Sequence, residues 1–289
     1  GSVFKAFTFA SALNEKLIKP ETEFVDLPKS IKCDRYRIGE YDNEIPSDLT
    51  AEQILVRSGN IGSVRIAQKI GSEKFKLFLE KVGVLREINF DIEEVAPQKN
   101  YDFGKCRLAT ASYGHGITTT PLQLARAYAI LANGGYKIEP FIVKKNKTIL
   151  KQKEQIVSIK TSNLINSMLR KVVSLEEGTA NFANISGYNV AGKTGTAVKY
   201  GSNAKLNTFV SLFPSNKPKY VLLVMLDEPK PAPNYVYEFL PSEKFPNGYK
   251  YKGEKRNTSG WNTVVVAGKI IEKIGPILAI NDLQASKKY

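Results

Sequence analysis

Ser2 and Lys5 lie three residues apart in the opening Gly1-Ser2-Val3-Phe4-Lys5. On a helix, positions i and i+3 project from the same side, so a lysine amine can come within hydrogen-bond reach of a serine hydroxyl. The neighbours Val3, Phe4, Ala6 and Phe7 are all apolar. Desolvation among them disfavours the ammonium, lowers the lysine pKa and makes the neutral amine a general base for a serine that has no histidine. A helix starting here also brings the positive end of its dipole beneath Ser2, whose backbone N–H can serve as an oxyanion donor. The chemistry open to such a pair is nucleophilic acyl transfer. Taken alone, a Ser-x-x-Lys arises readily in a chain rich in both residues.

Two downstream elements change its weight. Ser58-Gly59-Asn60 falls where a helix is expected to end, a place from which a hydroxyl can relay a proton and an amide can hold a substrate amide or Lys5. The same tripeptide is also ordinary decoration of a helix C-terminus by turn formers. Lys193-Thr194-Gly195-Thr196 reads as strand, with Thr194 and Thr196 on one side, where their hydroxyls can bind a carboxylate. If the strand is an edge, the Thr196 N–H can complete an oxyanion hole with that of Ser2. Strict alternation points Lys193 the other way, so its reach into the same cleft depends on strand twist and a long stem. Gly195 lets a ligand approach the backbone, and Gly192 leaves room for a packed helix. The competing reading of this tetrapeptide is a polar edge strand with a glycine bulge. Conjunction decides: each element is weak, but the set occurs in one order on suitable structure.

The elements that must position these residues can be read in outline. Ser2 to Ile18, rich in Phe, Ala and Leu, reads as a buried helix, and Thr50 to Arg57 as a short capped one. Gly62 to Ile70 and Ser72 to Val82 read as two more, each stopped by a glycine. Thr120-Pro121-Leu122-Gln123 combines an N-cap, a proline at the first helical position and a capping glutamine, with Gly134-Gly135 closing the other end. Leu124, Tyr128 and Leu131 then share one face. A strand-like stretch runs from Tyr136 to Lys144, and a helix around Ser162 to Val173. Tyr188 to Lys199, Asn207 to Pro214 and Lys219 to Asp227 are strand candidates, and the continuous apolar run Tyr220 to Leu226 predicts a central strand for the last. Pro229 to Thr258 reads as a long loop or insertion, and Asn262 to Ile280 as a closing helix. The order, helices first and then an antiparallel sheet with a helix on it, is of the α+β kind.

Composition sets the boundaries. The 289 residues are 42% hydrophobic and 24% charged, ordinary globular material for one large domain or two lobes around a cleft. The 42 Lys+Arg outnumber the 28 Asp+Glu, giving +14, which could favour acidic polymers or anionic headgroups. The cations are scattered and form no aromatic-interleaved groove, so a solvated basic surface is the simpler reading. One histidine in the whole chain makes a Ser-His-Asp triad or a His-based metal site hard to build, and Cys33 and Cys106 lack metal-ligand spacing. Whether the cysteines pair stays open. No run of 18 or more apolar residues occurs.

With these residues in view, the chain resembles the transpeptidase domain of class B penicillin-binding proteins, most closely the septal, cell-division type. Gly114-His115-Gly116, Thr120-Pro121-Leu122-Gln123-Leu124-Ala125 and Gly187-Tyr188-Asn189-Val190-Ala191-Gly192 are similar to further family segments. One departure is Glu177 before Gly178-Thr179-Ala180, where many relatives have two glycines ahead of the threonine. The resemblance covers nearly the whole chain. It implies the α/β (α+β) fold of penicillin-binding proteins and serine β-lactamases. A mainly helical lobe over residues 20–135 and a sheet lobe over 136–289 would enclose the site, with 229–258 an insertion near the cleft rim.

It also implies roles. Ser2 would be acylated by the penultimate D-Ala of a peptidoglycan stem peptide, with Lys5 taking its proton. Ser58 and Lys193 would pass a proton to the leaving amine. Asn60 would position the substrate, and Thr194, Gly195 and Thr196 would hold its carboxylate end. His115 would be structural. No cofactor is implied. The implied partners are stem peptides, β-lactams that acylate Ser2, a glycosyltransferase and other division proteins, but not nucleic acid. The family's membrane anchor, pedestal and first sheet strands precede its serine, so the chain reads as a fragment of a protein at the periplasmic face of the bacterial inner membrane. Three readings compete with the transpeptidase: a D,D-carboxypeptidase or β-lactamase, a β-lactam sensor or inactive fragment, and, more distantly, a basic nucleic-acid binder. A common β-lactamase needs a Glu-x-x-Leu-Asn, and the similar spacing from Glu177 to Asn181 lacks the leucine.

Overall fold

The computed structural model describes residues 1–88, 90–92, 101–143, 154–241 and 245–286. A single turn of 3-10 helix, Ser2–Phe4, runs directly into α1, Lys5–Asn14, which is buried from Lys5 to Leu13. The helix ends four residues short of the expected Ile18, where Lys16 turns to a positive φ of 57°. Two small antiparallel pairs follow: β1 (Glu23–Phe24) with β4 (Leu49–Thr50), and the hairpin of β2 (Ser30–Cys33) with β3 (Tyr36–Gly39). Next come α2 (Ala51–Val56), α3 (Asn60–Ile70), α4 (Ser72–Lys81), α5 (Lys105–Ala111), α6 (Pro121–Ala132) and α7 (Ile159–Ser174).

Capping chemistry explains two of the starts. The Thr50 hydroxyl accepts from the Gln53 N–H at 3.2 Å while the Gln53 side chain accepts from the Thr50 N–H at 2.9 Å. Thr120 and Gln123 form the same box ahead of α6, with Pro121 in the first turn. Leu124, Tyr128 and Leu131 are buried together, as their spacing predicts. α1 packs against α3 and α7, so the helix carrying Lys5 lies at the centre of the helical material.

Among the described residues, the main sheet is antiparallel with the order β5 (Ala191–Val198), β6 (Lys205–Phe213), β7 (Tyr220–Asp227). The expectation that Tyr220 to Leu226 forms the central strand is corrected. β6 is central and β7 lies at the end of the order, its side chains mostly half-buried. An apolar run reports burial on two faces, not the number of neighbouring strands. β6 is buried from Asn207 to Phe213 because it lies between its two strand neighbours with the helices α8 (Thr263–Ser286) and α6 both packed against it.

Two other expectations change. Tyr136 makes only an isolated bridge to Gln155, and the stretch to Phe141 and beyond forms no strand among the described residues, although residues 144–153 lie outside them. Pro229 to Thr258 is not simply a loop. It contains the hairpin of β8 (Val236–Phe239) with β9 (Tyr249–Lys252), closed at its base where Asn257 Nδ2 donates to Pro229 O at 2.6 Å. Phe239 stacks on Tyr249 at 4.2 Å, and Tyr237, Tyr251 and Phe182 gather around Trp261, so aromatic packing holds the hairpin to the body. Cys33 and Cys106 form a disulfide joining β2 to α5.

Candidate active site

Lys5 is fully buried, and its Nζ lies among four oxygens: Ser2 Oγ at 3.0 Å, Ser58 O at 2.5 Å, Ser58 Oγ at 3.1 Å and Asn60 Oδ1 at 2.8 Å. Burial pushes its pKa down to about 7, partly offset by the charge of Glu40. A neutral amine has two N–H groups and one lone pair. Ser58 O and Asn60 Oδ1 accept only, so they take the two N–H groups and leave the lone pair for a hydroxyl proton. This arrangement can accept a proton from the Ser2 hydroxyl.

Ser58 links this group to the second lysine. It sits between α2 and α3 at a positive φ of 60°, a backbone conformation that costs energy in a non-glycine residue and turns its hydroxyl toward both amines. Lys193 Nζ donates to Ser58 Oγ at 2.8 Å. Its side chain is fully buried, so the long stem does overcome the strand alternation. Burial, with the Lys5 charge nearby, holds the Lys193 pKa well below its ordinary value. A continuous path therefore runs Ser2, Lys5, Ser58, Lys193.

β5 is the edge strand that the site requires. The Lys199 N–H bonds to Ala204 O across the β5–β6 ladder, and alternation from there turns the N–H groups of Thr194 and Thr196 away from β6, toward the open edge. A Cβ on Gly195 would sit 3.0 Å from Val3 Cγ1, 3.1 Å from Val3 N and 3.3 Å from Ser2 N. The absent side chain thus admits the nucleophile's own backbone against β5, closer than a ligand-access reading implies. At Gly192 the space a side chain would take is filled by Phe209 and Val210 O of β6, while α7 packs on β5 as expected.

Four partners were not foreseen. The Thr194 and Thr179 hydroxyls are 2.7 Å apart, and Thr196 Oγ1 accepts the Ser259 N–H at 3.0 Å. The Tyr128 hydroxyl donates to Val3 O at 2.7 Å and so anchors the turn that presents Ser2. Glu40 bonds the backbone of Asn60 and Ile61. Only Thr179 carried a signal, through its glycine-preceded turn. His115 pairs with Tyr200 in the β5–β6 turn at 3.1 Å and stacks on Tyr113, outside the Ser2–Lys193 path. No cluster of metal-ligating side chains and no helix long and apolar enough to cross a membrane occurs among the described residues.

A Ser-x-x-Lys helix facing the edge strand of an antiparallel sheet, with a Ser-x-Asn between them, is the architecture of penicillin-reactive proteins. The chain belongs to that group: residues 1–240 match the penicillin binding protein transpeptidase domain family. It is similar to a probable peptidoglycan D,D-transpeptidase FtsI of Caulobacter vibrioides, 28% identical over 294 residues, covering 97% of this chain and 46% of that protein. A peptidoglycan D,D-transpeptidase FtsI of Buchnera aphidicola is 32% identical over 243 residues, covering 80% of this chain and 41% of the relative. The transpeptidase domain of penicillin-binding protein 3 from Burkholderia pseudomallei superposes with a TM-score of 0.73 at 25% identity, covering 95% of this chain and 78% of that one. The chain spans about half the length of the curated relatives it matches.

Proposed function

We propose that this chain is the catalytic part of a serine D,D-transpeptidase that crosslinks peptidoglycan in septal wall synthesis. The observation that carries the reading is the unbroken path from Ser2 through Lys5 and Ser58 to Lys193. Ser2 Oγ attacks the carbonyl of the penultimate D-Ala as Lys5 takes its proton, and the oxyanion is held by the N–H groups of Ser2 and Thr196. The amide C–N bond breaks. The leaving D-Ala amine receives a proton through Ser58 and Lys193, while Asn60 orients the substrate amide and Thr194, Gly195 and Thr196 bind the terminal carboxylate. The amine of a neighbouring stem peptide then attacks the ester, forms the crosslink and frees Ser2.

Glu40 favours this reading over a β-lactamase. Among the described residues it is the one carboxylate acting on the Lys5 charge, and both its oxygens are taken by backbone N–H groups. Held by the backbone of Asn60 and Ile61, Glu40 is engaged as a helix cap and not presented as a water-activating base, so a β-lactam adduct should persist. The Cys33–Cys106 disulfide fits an oxidising compartment such as the periplasm. The division role, the glycosyltransferase and division partners, and the helical and sheet lobes at 20–135 and 136–289 are what the resemblance to septal penicillin-binding proteins implies.

Fluorescent penicillin tests the proposal on the full-length protein. The expected result is a stable adduct, absent in Ser2→Ala, together with turnover of a D-Ala-D-Ala thioester analogue. A folded wild-type protein that forms no adduct, or an adduct that survives Ser2→Ala, would refute it.

A further inference from the structure

Asn60 and the residue after it are held at three points by two consecutive residues. Its Nδ2 donates to Gly39 O at 2.9 Å, its backbone N–H donates to Glu40 Oε2 at 2.7 Å, and the next N–H, of Ile61, donates to Glu40 Oε1 at 2.9 Å. Because the Asn60 nitrogen is committed to Gly39, its oxygen must face Lys5. We propose that Glu40 is a positioning residue for the acyl-transfer reaction, fixing Asn60 so that the amide oxygen orients the Lys5 amine toward Ser2. The inference rests on the acyl-enzyme reading given above.

A carboxylate on two adjacent N–H groups at a helix start is an ordinary cap as far as stability goes. Here the capped residue is also a direct partner of the base, so the cap sets the geometry of the amine. The support continues outward. Glu40 directly follows β3, and its own N–H bonds to Lys29 O just before β2, closing the open end of the hairpin. At the other end, beside the Cys33–Tyr36 pair, the disulfide ties the hairpin to α5. The carboxylate is therefore carried on a short rigid arm clamped at both ends.

Glu40 also acts on Lys5 by charge, favouring its ammonium form, while burial does the reverse. The other titratable groups coupled to Lys5 are Lys193 and the amino group of Gly1, both lowered in pKa by burial, and the Glu40 charge also helps hold the neighbouring Tyr41 hydroxyl in its neutral form. Replacing Glu40 by glutamine keeps the shape but removes the charge and one acceptor. Orientation and titration should both change.

The test is the second-order rate of acylation by fluorescent penicillin, measured against pH on the full-length protein. The wild-type rate is expected to rise with pH through about 7 as Lys5 loses its proton. For Glu40→Gln the plateau should fall by about tenfold or more, the order expected for losing one charge-assisted hydrogen bond. The midpoint should also move to lower pH, because the charge that favoured the ammonium is gone. A purely structural cap would cost stability but leave the plateau rate of the folded protein within about twofold of wild type. An unmoved midpoint, or a plateau within about twofold of wild type, overturns the inference. Should Glu40→Gln fail to fold, Glu40→Asp keeps the charge but draws it back; a lowered plateau at the wild-type midpoint is expected, and a wild-type plateau overturns the inference. Failure of the wild type to form a Ser2 adduct refutes the acyl-enzyme reading itself. A normal wild-type adduct with a superimposable Glu40→Gln profile refutes only this step.

Discussion

Lys5 concentrates the conflict between stability and chemistry. An amine buried among Phe4, Phe7 and the backbone of α1 is stable only when neutral or fully bonded, and here it is nearly both. Folded Lys5 titrates near 7 and the unfolded side chain near 10.5, so between these values the unfolded chain binds more protons and stability rises with pH. Above about 10 the buried Tyr128 hydroxyl, held well above its ordinary value, reverses the trend. Lys5→Met should flatten the pH dependence between about 7 and 10 by close to one proton, measured by denaturant unfolding at several pH values. Lys193 would supply the slope that remains. The Ser-x-x-Lys was legible because its spacing is local and its neighbours are apolar. Glu40 was not, because twenty residues, with β4 and α2 among them, separate it from the Asn60 it holds.

The element that most constrains the site is β5. Gly195 allows the Ser2–Val3 backbone to lie against the strand, which keeps the two proposed oxyanion donors close to each other. Gly195→Ala must push the turn off the strand by a few tenths of an ångström, or distort both. Acylation by penicillin should fall by about a hundredfold, as for loss of an oxyanion donor, while the melting temperature changes little. Wild-type acylation in that variant would show that the approach is not needed. Helices were legible where capping residues mark their starts, as at Thr50 and Thr120. Sheet order was not, since β7 and β6 are both apolar and only pairing distinguishes the edge from the centre. The β8–β9 hairpin was hidden by a proline-rich and lysine-rich composition, although its aromatic residues were the signal of a small packed unit.

At the scale of the whole molecule, the disulfide is a cross-link over 73 residues. Chain-entropy reasoning assigns it about 4 kcal/mol, which for a domain of this size corresponds to a drop in Tm of roughly 10 °C on reduction. Calorimetry with and without reductant, or of Cys33→Ser with Cys106→Ser, checks this; an unchanged Tm would mean the entropic term is cancelled. Spacing along the sequence could not reveal the pair, because only the fold brings the two Cα atoms to 5.5 Å. The contacts that join Ser2, Ser58 and Lys193 share this property, spanning 53 residues from Lys5 to Ser58 and 135 from Ser58 to Lys193. Loop-closure entropy makes such contacts among the last to be secured as a chain folds. On the proposed reading, a nucleophile that is reactive only when three distant segments have met is silent in every partly folded form, so acylation would also count the molecules that have completed folding.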